Sequence, residues 1–285
     1  EGLDGLRERL QQYYKLGARF AKWRGVYIIS DKFPSKQAIV SNAHALARYA
    51  SLVQECGMVP IVEPEVLMDG NHNSERCLDK TTEVIKKCFE ELISQKVDLK
   101  GVILNFVPQY AETNVREYLV PEFESLGVTI LGTIAEDRCL LSVSVAQIAE
   151  HLGGRFFSGE DLPNVLVKNF MVGGFGMDPG EYVFSTKSDK CVVVRGDRPD
   201  VQMSALQTDV SCFIMTNGID PIEYIKYESQ EEKVPIIVVE KDTLQTMDDI
   251  GNLQSEVSFD HPEKLERMSS LIGSSVDLKI LIEGL

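Results

Sequence analysis

Helical and strand patterns alternate along most of the chain. Apolar residues recur every three or four positions in the segments that we predict as helices: 3–16, 34–56, 74–94, 113–125, 144–151, 200–206, 221–231, 243–252 and 262–272. Short apolar runs typical of buried strands cover residues 19–29, 59–62, 102–107, 128–134, 165–172, 191–195, 212–216 and 235–240. Strands that alternate with helices are typical of parallel sheets, so the sequence predicts an α/β protein.

The most linker-like stretch is rich in glycine and polar residues and spans 153–163. We therefore predict three parts: a βα segment over residues 1–104, a βαβα tail over 101–154, and an α/β domain with a C-terminal helix over 155–285. The last part is long enough to bury its own core, and we expect it to dimerise.

The composition of the chain argues against several classes of partner and cofactor. The 285 residues carry a net charge of −15, which argues against nucleic acid or an anionic membrane as a partner. No apolar run approaches the roughly 20 residues of a membrane span. Six cysteines without CxxC spacing, and no secretory signal peptide, predict free thiols in the cytoplasm. The four histidines lack metal-ligand spacing, so we expect neither a metal nor a cofactor.

Two strands carry charged residues at alternate positions. Lys22 and Arg24 follow one short apolar run, and Glu63 and Glu65 follow another. Because side chains alternate between the two faces of a strand, each pair shares a face. Two cations and two carboxylates that face a common interior must pair with each other or with a ligand. Sugar-phosphate sites at the carboxyl ends of barrel strands are built in this way, whereas an ion-pair network without turnover is the simpler interpretation.

Residues 2–104 resemble the middle of a class I fructose-bisphosphate aldolase. The matching motifs are Gly-Leu-Asp-Gly-Leu at 2–6, Phe-Ala-Lys-Trp-Arg at 20–24, Leu-Ala-Arg-Tyr-Ala at 46–50 and Glu-Pro-Glu at 63–65. The resemblance implies a partial TIM-barrel-like segment. It also implies that Lys22 assists carbinolamine dehydration, Arg24 lies near the substrate phosphate, Glu63 shuttles protons and Glu65 holds the cations.

The resemblance breaks at the nucleophile. In that family the next strand leads to Lys-Pro-Asn-Met-Val, whose lysine forms the Schiff base. Here Gly101-Val-Ile-Leu is followed by Asn105, and an amide cannot form that adduct. We therefore regard catalytic roles for the four charged residues as vestigial. With three aldolase-like strands, we expect no closed eight-stranded barrel.

The remainder resembles another family. Residues 101–154 are similar to the last part of a dethiobiotin-synthetase-like P-loop domain, with Ala135 in place of a proline, and 160–255 are similar to the DRTGG domain of some phosphotransacetylases. The carrying stretches include Gly-Asp-Arg-Pro-Asp-Val-Gln at 196–202. No GxxxxGK[ST] phosphate loop occurs, so ATP hydrolysis is not expected. The two resemblances meet at residues 101–105, which indicates a chimera-like join.

Arg195, Asp197 and Arg198 have two interpretations that we leave open. Asp197 caps a helix that begins near Pro199, or the three residues form a small-ligand or nucleotide pocket at the amino terminus of that helix. Asn105 is a further candidate ligand-binding residue, and a small phosphorylated metabolite or a nucleotide is the expected ligand. The glycines of 172–176 favour a tight turn over a phosphate-binding loop.

Two functions follow. The first is a non-catalytic small-ligand-binding or regulatory protein of the DRTGG type that carries a truncated aldolase segment. The alternative is a glycolytic aldolase-type lyase that acts on sugar phosphates with its missing strands supplied by another chain. Asn105 favours the first.

Overall fold

The computed structural model describes residues 2–125, 127–174 and 180–282. The chain forms two compact units, Glu1–Lys100 and Gly101–Leu285. Both contain helices and strands, which confirms the mixed α/β class. Over the described ranges, no helix combines the length and the apolar character that crossing a bilayer requires.

The first unit is a parallel two-stranded ribbon with its helices. In chain order it contains α1 (Leu6–Lys15), β1 (Phe20–Tyr27), α2 (Lys36–Glu55), β2 (Val59–Val66) and α3 (Ser74–Ser94). The register aligns Phe20 with Val59 and Tyr27 with Val66. Side-chain oxygens of Ser35 and Asn73 accept hydrogen bonds from the first turns of α2 and α3, which fixes where both long helices begin.

One face of the ribbon is covered and the other is open. Trp23 and Tyr27 pack against buried side chains of α2 and α3, and the rings of Trp23 and Tyr49 meet edge to face at 5.2 Å between centroids. Such an aromatic pair contributes about 0.5–1.5 kcal/mol beyond its buried area. The alternate residues of β1, including Lys22 and Arg24, therefore lie on the open face.

The second unit holds most of the secondary structure. It contains β3 (Val102–Val107), α4 (Glu112–Asn114), α5 (Val120–Ser125), β4 (Ile130–Ala135), β5 (Val143–Ser144), α6 (Val145–Leu152), β6 (Arg155–Ser158), β7 (Leu166–Val167), β8 (Asn169–Val172), α7 (Gly180–Phe184), β9 (Lys190–Arg195), α8 (Pro199–Leu206), β10 (Val210–Thr216), α9 (Glu223–Glu231), β11 (Ile236–Val238), α10 (Thr243–Ile250), α11 (Pro262–Ser275) and α12 (Leu278–Ile282). A 3₁₀ turn at Gln109–Ala111 and a π-helical turn at Val115–Leu119 flank α4.

A five-stranded sheet organises this unit, with strand order β6-β11-β10-β9-β8. All neighbours run parallel except β6, which is antiparallel to β11. Val193 and Ile214 face a core shared with α6, whereas Val192 and Phe213 face a second core shared with α8 and α9. Because both faces are covered, the central strands are apolar throughout, as the sequence predicts.

Separate small sheets complete the unit. β3 and β4 run parallel, and β5 pairs antiparallel with β7. α11 and the residues after it pack on β4, where Gly132 and Val276 form a bridge. No sheet among the described strands approaches the eight strands of a barrel; the largest has five.

Several predicted elements differ from the structure. The single strand predicted over 165–172 is two strands, β7 and β8, because the chain changes partners at Lys168, from β5 to β9. The loop predicted over 153–163 contains β6, because Gly153 ends α6 in a left-handed turn (φ 61°) and Gly154 lets the backbone approach β11. The helix predicted over 113–125 is preceded by the 3₁₀ turn that starts at Gln109.

The division into residues 1–104, 101–154 and 155–285 stays a prediction, and two sets of contacts cross it. α6 contributes Val145 and Ile148 to the core of the five-stranded sheet, and α11 packs on β4 rather than within 155–285 alone.

Candidate functional site

The four charged residues of the ribbon form two ion pairs on its open face. Lys22 Nζ lies 2.5 Å from Glu63 Oε2, and Arg24 Nε donates a hydrogen bond to Glu65 Oε2. The alternation of side chains along two parallel strands produces this arrangement, as the sequence predicts. Their side chains are about 35–50% exposed, so each cation is neutralised by its carboxylate at the edge of water.

Electrostatics keep the second pair ionised. The hydrogen bond from Arg24, followed by the charges of Arg24 and Lys22, holds the pKa of Glu65 below its ordinary value. The same hydrogen bond and the charge of Glu65 raise the pKa of Arg24. The lowered pKa makes Glu65 a weaker proton acceptor, and the raised pKa makes Arg24 a weaker proton donor, so the pair is poorly suited to proton transfer at neutral pH.

Asn105 belongs to the second unit. It is exposed near the end of β3 and precedes Phe106, whose backbone is left-handed (φ 59°). The ladder between β3 and β4 is interrupted here, between Leu104 and Val107. The side chain at this position is an amide without a nucleophilic amine.

Arg195, the last residue of β9, and Arg198 are each bound by an aspartate two residues later. Arg195 donates from Nε and a terminal nitrogen to Asp197 at 3.0 and 2.6 Å, and Arg198 donates likewise to Asp200 at 2.9 and 2.8 Å. The hydrogen bond from Arg195 lowers the pKa of Asp197.

Of the two interpretations of Asp197, the helix cap is wrong. The residue at the N-cap of α8 is Arg198, whose side chain makes no capping hydrogen bond, and Pro199 is the first helical residue. Asp197 instead binds Arg195, a bidentate charge-assisted partner that competes better for the carboxylate than a backbone N–H.

Gln202 is a positioning residue that the sequence did not reveal. It is fully buried, and its side-chain nitrogen donates to the carbonyl oxygens of Arg195 and Gly196 at 2.8 and 3.1 Å. Gly196 is required because a Cβ there would lie 1.8 Å from the carbonyl oxygen of Ile219. The only sequence signal that could have pointed to Gln202 is its place at the end of the motif Gly-Asp-Arg-Pro-Asp-Val-Gln.

The glycines at 172–176 are only partly visible, because Phe175 and Gly176 lie outside the described residues. Gly173 continues the pairing with β9, donating to Val193 O at 2.8 Å. A Cβ at Gly173 would lie 2.8 Å from a Val201 methyl group, so this glycine allows close packing against α8.

A cleft of about 660 Å³ opens beyond the end of β4, lined by Arg138, Lys168 and Arg267 among other charged residues. Arg267 binds Asp137 at 2.7 Å and Lys168 binds Asp189 at 3.1 Å. The sequence did not predict this cleft, since its walls come from segments up to 160 residues apart. In the described ranges, no group of three or more His, Cys, Asp or Glu side chains could hold a metal ion.

Two family models match the chain. "Fructose-bisphosphate aldolase class-I" matches residues 1–126, and "DRTGG domain" matches residues 147–253. A "Probable fructose-bisphosphate aldolase class 1" of Xanthomonas campestris is 58% identical over 104 residues, which are 36% of this chain and 31% of that protein. "Fructose-bisphosphate aldolase 4, cytosolic" of Arabidopsis thaliana is 52% identical over 103 residues, 36% and 26% of the two chains. The chain spans about a third of the length of the curated relatives it matches.

Solved structures show weaker similarity. A Plasmodium falciparum fructose-bisphosphate aldolase complex gives a TM-score of 0.38 at 35% identity, covering 47% of this chain and 42% of that one. The CBS and DRTGG domains of a Clostridium perfringens pyrophosphatase, solved with diadenosine tetraphosphate, give 0.35 at 16% identity, covering 55% and 76%. The family models therefore place a match to class I fructose-bisphosphate aldolases, over residues 1–126, and a match to the DRTGG domain, over residues 147–253, in one chain.

Proposed function

We propose that this chain is a non-catalytic small-ligand-binding protein with a regulatory role, in which the aldolase segment is vestigial. The observation that carries the proposal is Asn105. It stands where the aldolase resemblance expects the Schiff-base lysine, and an amide cannot attack a carbonyl carbon to form an imine.

The ion pairs of the ribbon support this reading. A lysine that replaces the missing nucleophile must deprotonate easily, which requires burial or a neighbouring cation. Lys22 is half exposed and its Nζ lies 2.5 Å from Glu63 Oε2, so it is neither buried nor beside a cation in this pair. The two ion pairs therefore serve a structural role, in which cations and carboxylates neutralise one another on one face of the ribbon.

Borohydride trapping tests the proposal. We expect no adduct by intact-mass spectrometry when the chain is reduced in the presence of fructose 1,6-bisphosphate. The variant Asn105→Lys restores the expected nucleophile, and a class I aldolase serves as the positive control. An adduct on the unmodified chain, or cleavage of fructose 1,6-bisphosphate, would overturn the proposal in favour of the alternative, an aldolase-type lyase completed by strands of another chain.

We further propose that the turn at Arg195, Asp197 and Arg198 binds a small phosphorylated metabolite or nucleotide. Two nitrogens of each guanidinium donate hydrogen bonds to an aspartate, Asp197 or Asp200. A phosphate that binds at this turn therefore competes with these two carboxylates for the arginines. Titration calorimetry with AMP, ATP and diadenosine tetraphosphate measures this binding. Arg195→Gln should weaken it, whereas Arg48→Gln on the exposed surface of α2 should not.

The finer architecture belongs to the same proposal. The β3–β4 segment would be the remnant of a P-loop-like parallel sheet, the first unit a remnant of a TIM-barrel-like fold, and residues 155–285 the dimerising part of a cytoplasmic protein. The parallel pairing of β1 with β2 and of β3 with β4 supports the first two statements.

A further inference from the structure

We propose that the open face of the ribbon formed by β1 and β2 binds the same face of a second copy of the chain. Such an interface is isologous, since a two-fold axis relates the two copies and each contributes the same surface. The inference goes beyond the proposed function, because it involves neither the turn at Arg195–Arg198 nor the proposed dimer contact of residues 155–285. It rests on the exposure, the strand register and the order of charges on the open face.

Large apolar side chains are exposed on the open face. Phe20 and Val26, near the two ends of β1, are 64% and 48% exposed. Ile28, directly after β1, continues the alternation of the strand at 61% exposure, and Ile61 of β2 is 43% exposed. A partner that covers these four side chains removes apolar surface from water, which is the main favourable contribution to most protein association.

The charges on the open face are sorted by strand. β1 contributes two cations, Lys22 and Arg24, and β2 contributes two carboxylates, Glu63 and Glu65. A positive row therefore lies beside a negative row, and these four charges sum to zero. The chain as a whole carries −15, so net charge opposes contact between two copies. Contact through the open face adds nothing to that repulsion, provided that each row meets the opposite row.

A two-fold axis between two such faces can keep the strands aligned in two ways. An axis perpendicular to the strands places β1 over β1 of the partner subunit, so cations meet cations. An axis parallel to the strands exchanges the two sides of the ribbon and places β1 over β2 of the partner subunit, so cations meet carboxylates. Aligned strands are a common arrangement for two sheets packed face to face. The order of charges therefore selects the axis parallel to the strands.

The strand register determines which charges meet. Arg24 is level with Glu63 in the parallel pairing of β1 and β2. A rotation about an axis parallel to the strands leaves this level unchanged, so Arg24 faces Glu63 of the partner subunit. Within its own chain Arg24 donates to Glu65 from Nε, and none of the described residues accepts a hydrogen bond from its two terminal nitrogens. These donors can bind a carboxylate of the second copy, and the symmetry forms this contact twice.

Charge variants of the full chain test the interface by sedimentation velocity. Lys22→Glu with Arg24→Glu gives a face that carries only carboxylates, and Glu63→Lys with Glu65→Lys gives a face that carries only cations. We call these two the single-sign variants. Each opposes like charges in both two-fold arrangements, so we expect each to weaken association through the ribbon at least about 10-fold. An equimolar mixture of the two should restore the association, because cations then meet carboxylates in both rows.

A variant with exchanged rows is the matched control for the ion pairs within one chain. It combines four substitutions: Lys22→Glu, Arg24→Glu, Glu63→Lys and Glu65→Lys. A cation still lies beside each carboxylate within the chain, and the face remains complementary to itself. We therefore expect this variant to associate as the unmodified chain does, although it contains every substitution that the single-sign variants contain.

Two further variants separate the face from net charge and from folding. Arg48→Glu with Lys86→Glu changes the net charge as much as the all-carboxylate variant does, at exposed positions of α2 and α3, and should leave the association unchanged. Phe20→Ser removes an exposed apolar side chain without adding a charge and should weaken the association. Circular dichroism verifies that each variant is folded, and Phe20→Ser keeps the test decisive where a single-sign variant is unfolded.

Distinct outcomes overturn the ribbon interface and the proposed function. An unmodified chain that stays monomeric overturns the interface. So does association of the folded single-sign variants, or of Phe20→Ser, that equals that of the unmodified chain, since such association uses another surface, such as residues 155–285. A mixture of single-sign variants that associates no better than its components overturns it as well. None of these results produces a borohydride adduct with fructose 1,6-bisphosphate, which is the result that overturns the non-catalytic function.

Discussion

At the scale of single residues, local competition between partners decided which sequence predictions were right. The pairing of Lys22 and Arg24 with Glu63 and Glu65 followed from strand alternation alone, because no nearer partner competes. A helix cap was one of two interpretations of Asp197, but Arg195 lies two residues away and binds it through two hydrogen bonds. Rules for helix ends consider backbone donors and miss such a neighbouring guanidinium.

The buried amide of Gln202 should be a stability determinant. Gln202→Ala removes the donor that satisfies the carbonyl groups of Arg195 and Gly196 and leaves a cavity. We expect the free energy of unfolding to fall by about 1–3 kcal/mol. Chemical denaturation measures the loss, and Gln207→Ala, an exposed residue at the end of α8, is the matched control. Equal stabilities of the two variants would contradict this role.

Asp137 should make the docking of α11 sensitive to acid. Burial alone would raise its pKa, but the hydrogen bond and charge of Arg267, with the N–H groups of Cys139 and Leu140, bring the pKa below its ordinary value. A carboxyl with a lowered folded-state pKa stabilises the protein above its unfolded-state pKa, about 3.9, and this contribution disappears as the pH falls through the folded value.

We therefore expect Arg267→Gln to destabilise the chain by about 0.5–1 kcal/mol at pH 7, since Arg267 is half exposed. The difference from the unmodified chain should shrink as the pH falls below about 4. Urea denaturation at several pH values measures it. A difference that persists unchanged at pH 3 would show that the lost interaction is packing and not the ion pair.

At the scale of elements, length decided what could be predicted. Long runs such as Val210–Thr216 and Lys36–Glu55 were predicted close to their observed bounds. The four-residue strand Arg155–Ser158 was missed because two glycines precede it and resemble a linker. Its role is visible only when β11, about 80 residues later in the chain, lies beside it.

α6 should be essential to the DRTGG sheet, although the sequence placed it before the domain. Ile148 is fully buried in the core that α6 shares with β9 and β10. We expect Ile148→Ala to lower the free energy of unfolding by about 2–5 kcal/mol. The exposed neighbour Glu150→Ala is the control, and thermal or chemical denaturation is the measurement. A cost below about 1 kcal/mol would indicate that α6 is peripheral to this core.

At the scale of the whole molecule, charge could be read from composition but the cleft could not. The 44 acidic and 29 basic residues are a property of the sequence alone. The cleft depends on where the segments around residues 109, 138, 168, 253 and 267 meet, and no local pattern encodes that meeting. Its walls come from β5, β7 and β8, from the segment that follows β4, and from α10 and α11.

The net charge of −15 should govern how the molecules associate. At pH 7, we expect mutual repulsion to oppose non-specific association beyond the proposed dimer. As carboxylates gain protons, the charge approaches zero and repulsion fades. We expect light scattering to rise to a maximum between about pH 4 and 5 and to fall again in more acidic buffer. Scattering that does not depend on pH would mean that specific contacts, and not net charge, control association.

The antiparallel pairing of β6 with β11 has a consequence for folding during synthesis. On a ribosome, Arg155–Ser158 is synthesised about 80 residues before its partner strand, Ile236–Val238. Until then, β6 has no strand beside it, and closing a loop of about 80 residues costs conformational entropy. The sheet of the DRTGG domain therefore cannot be completed during synthesis until nearly all of its residues have left the exit tunnel. Until β11 has been synthesised, the nascent chain exposes the unpaired edge of β6, which is a surface that chaperones can bind.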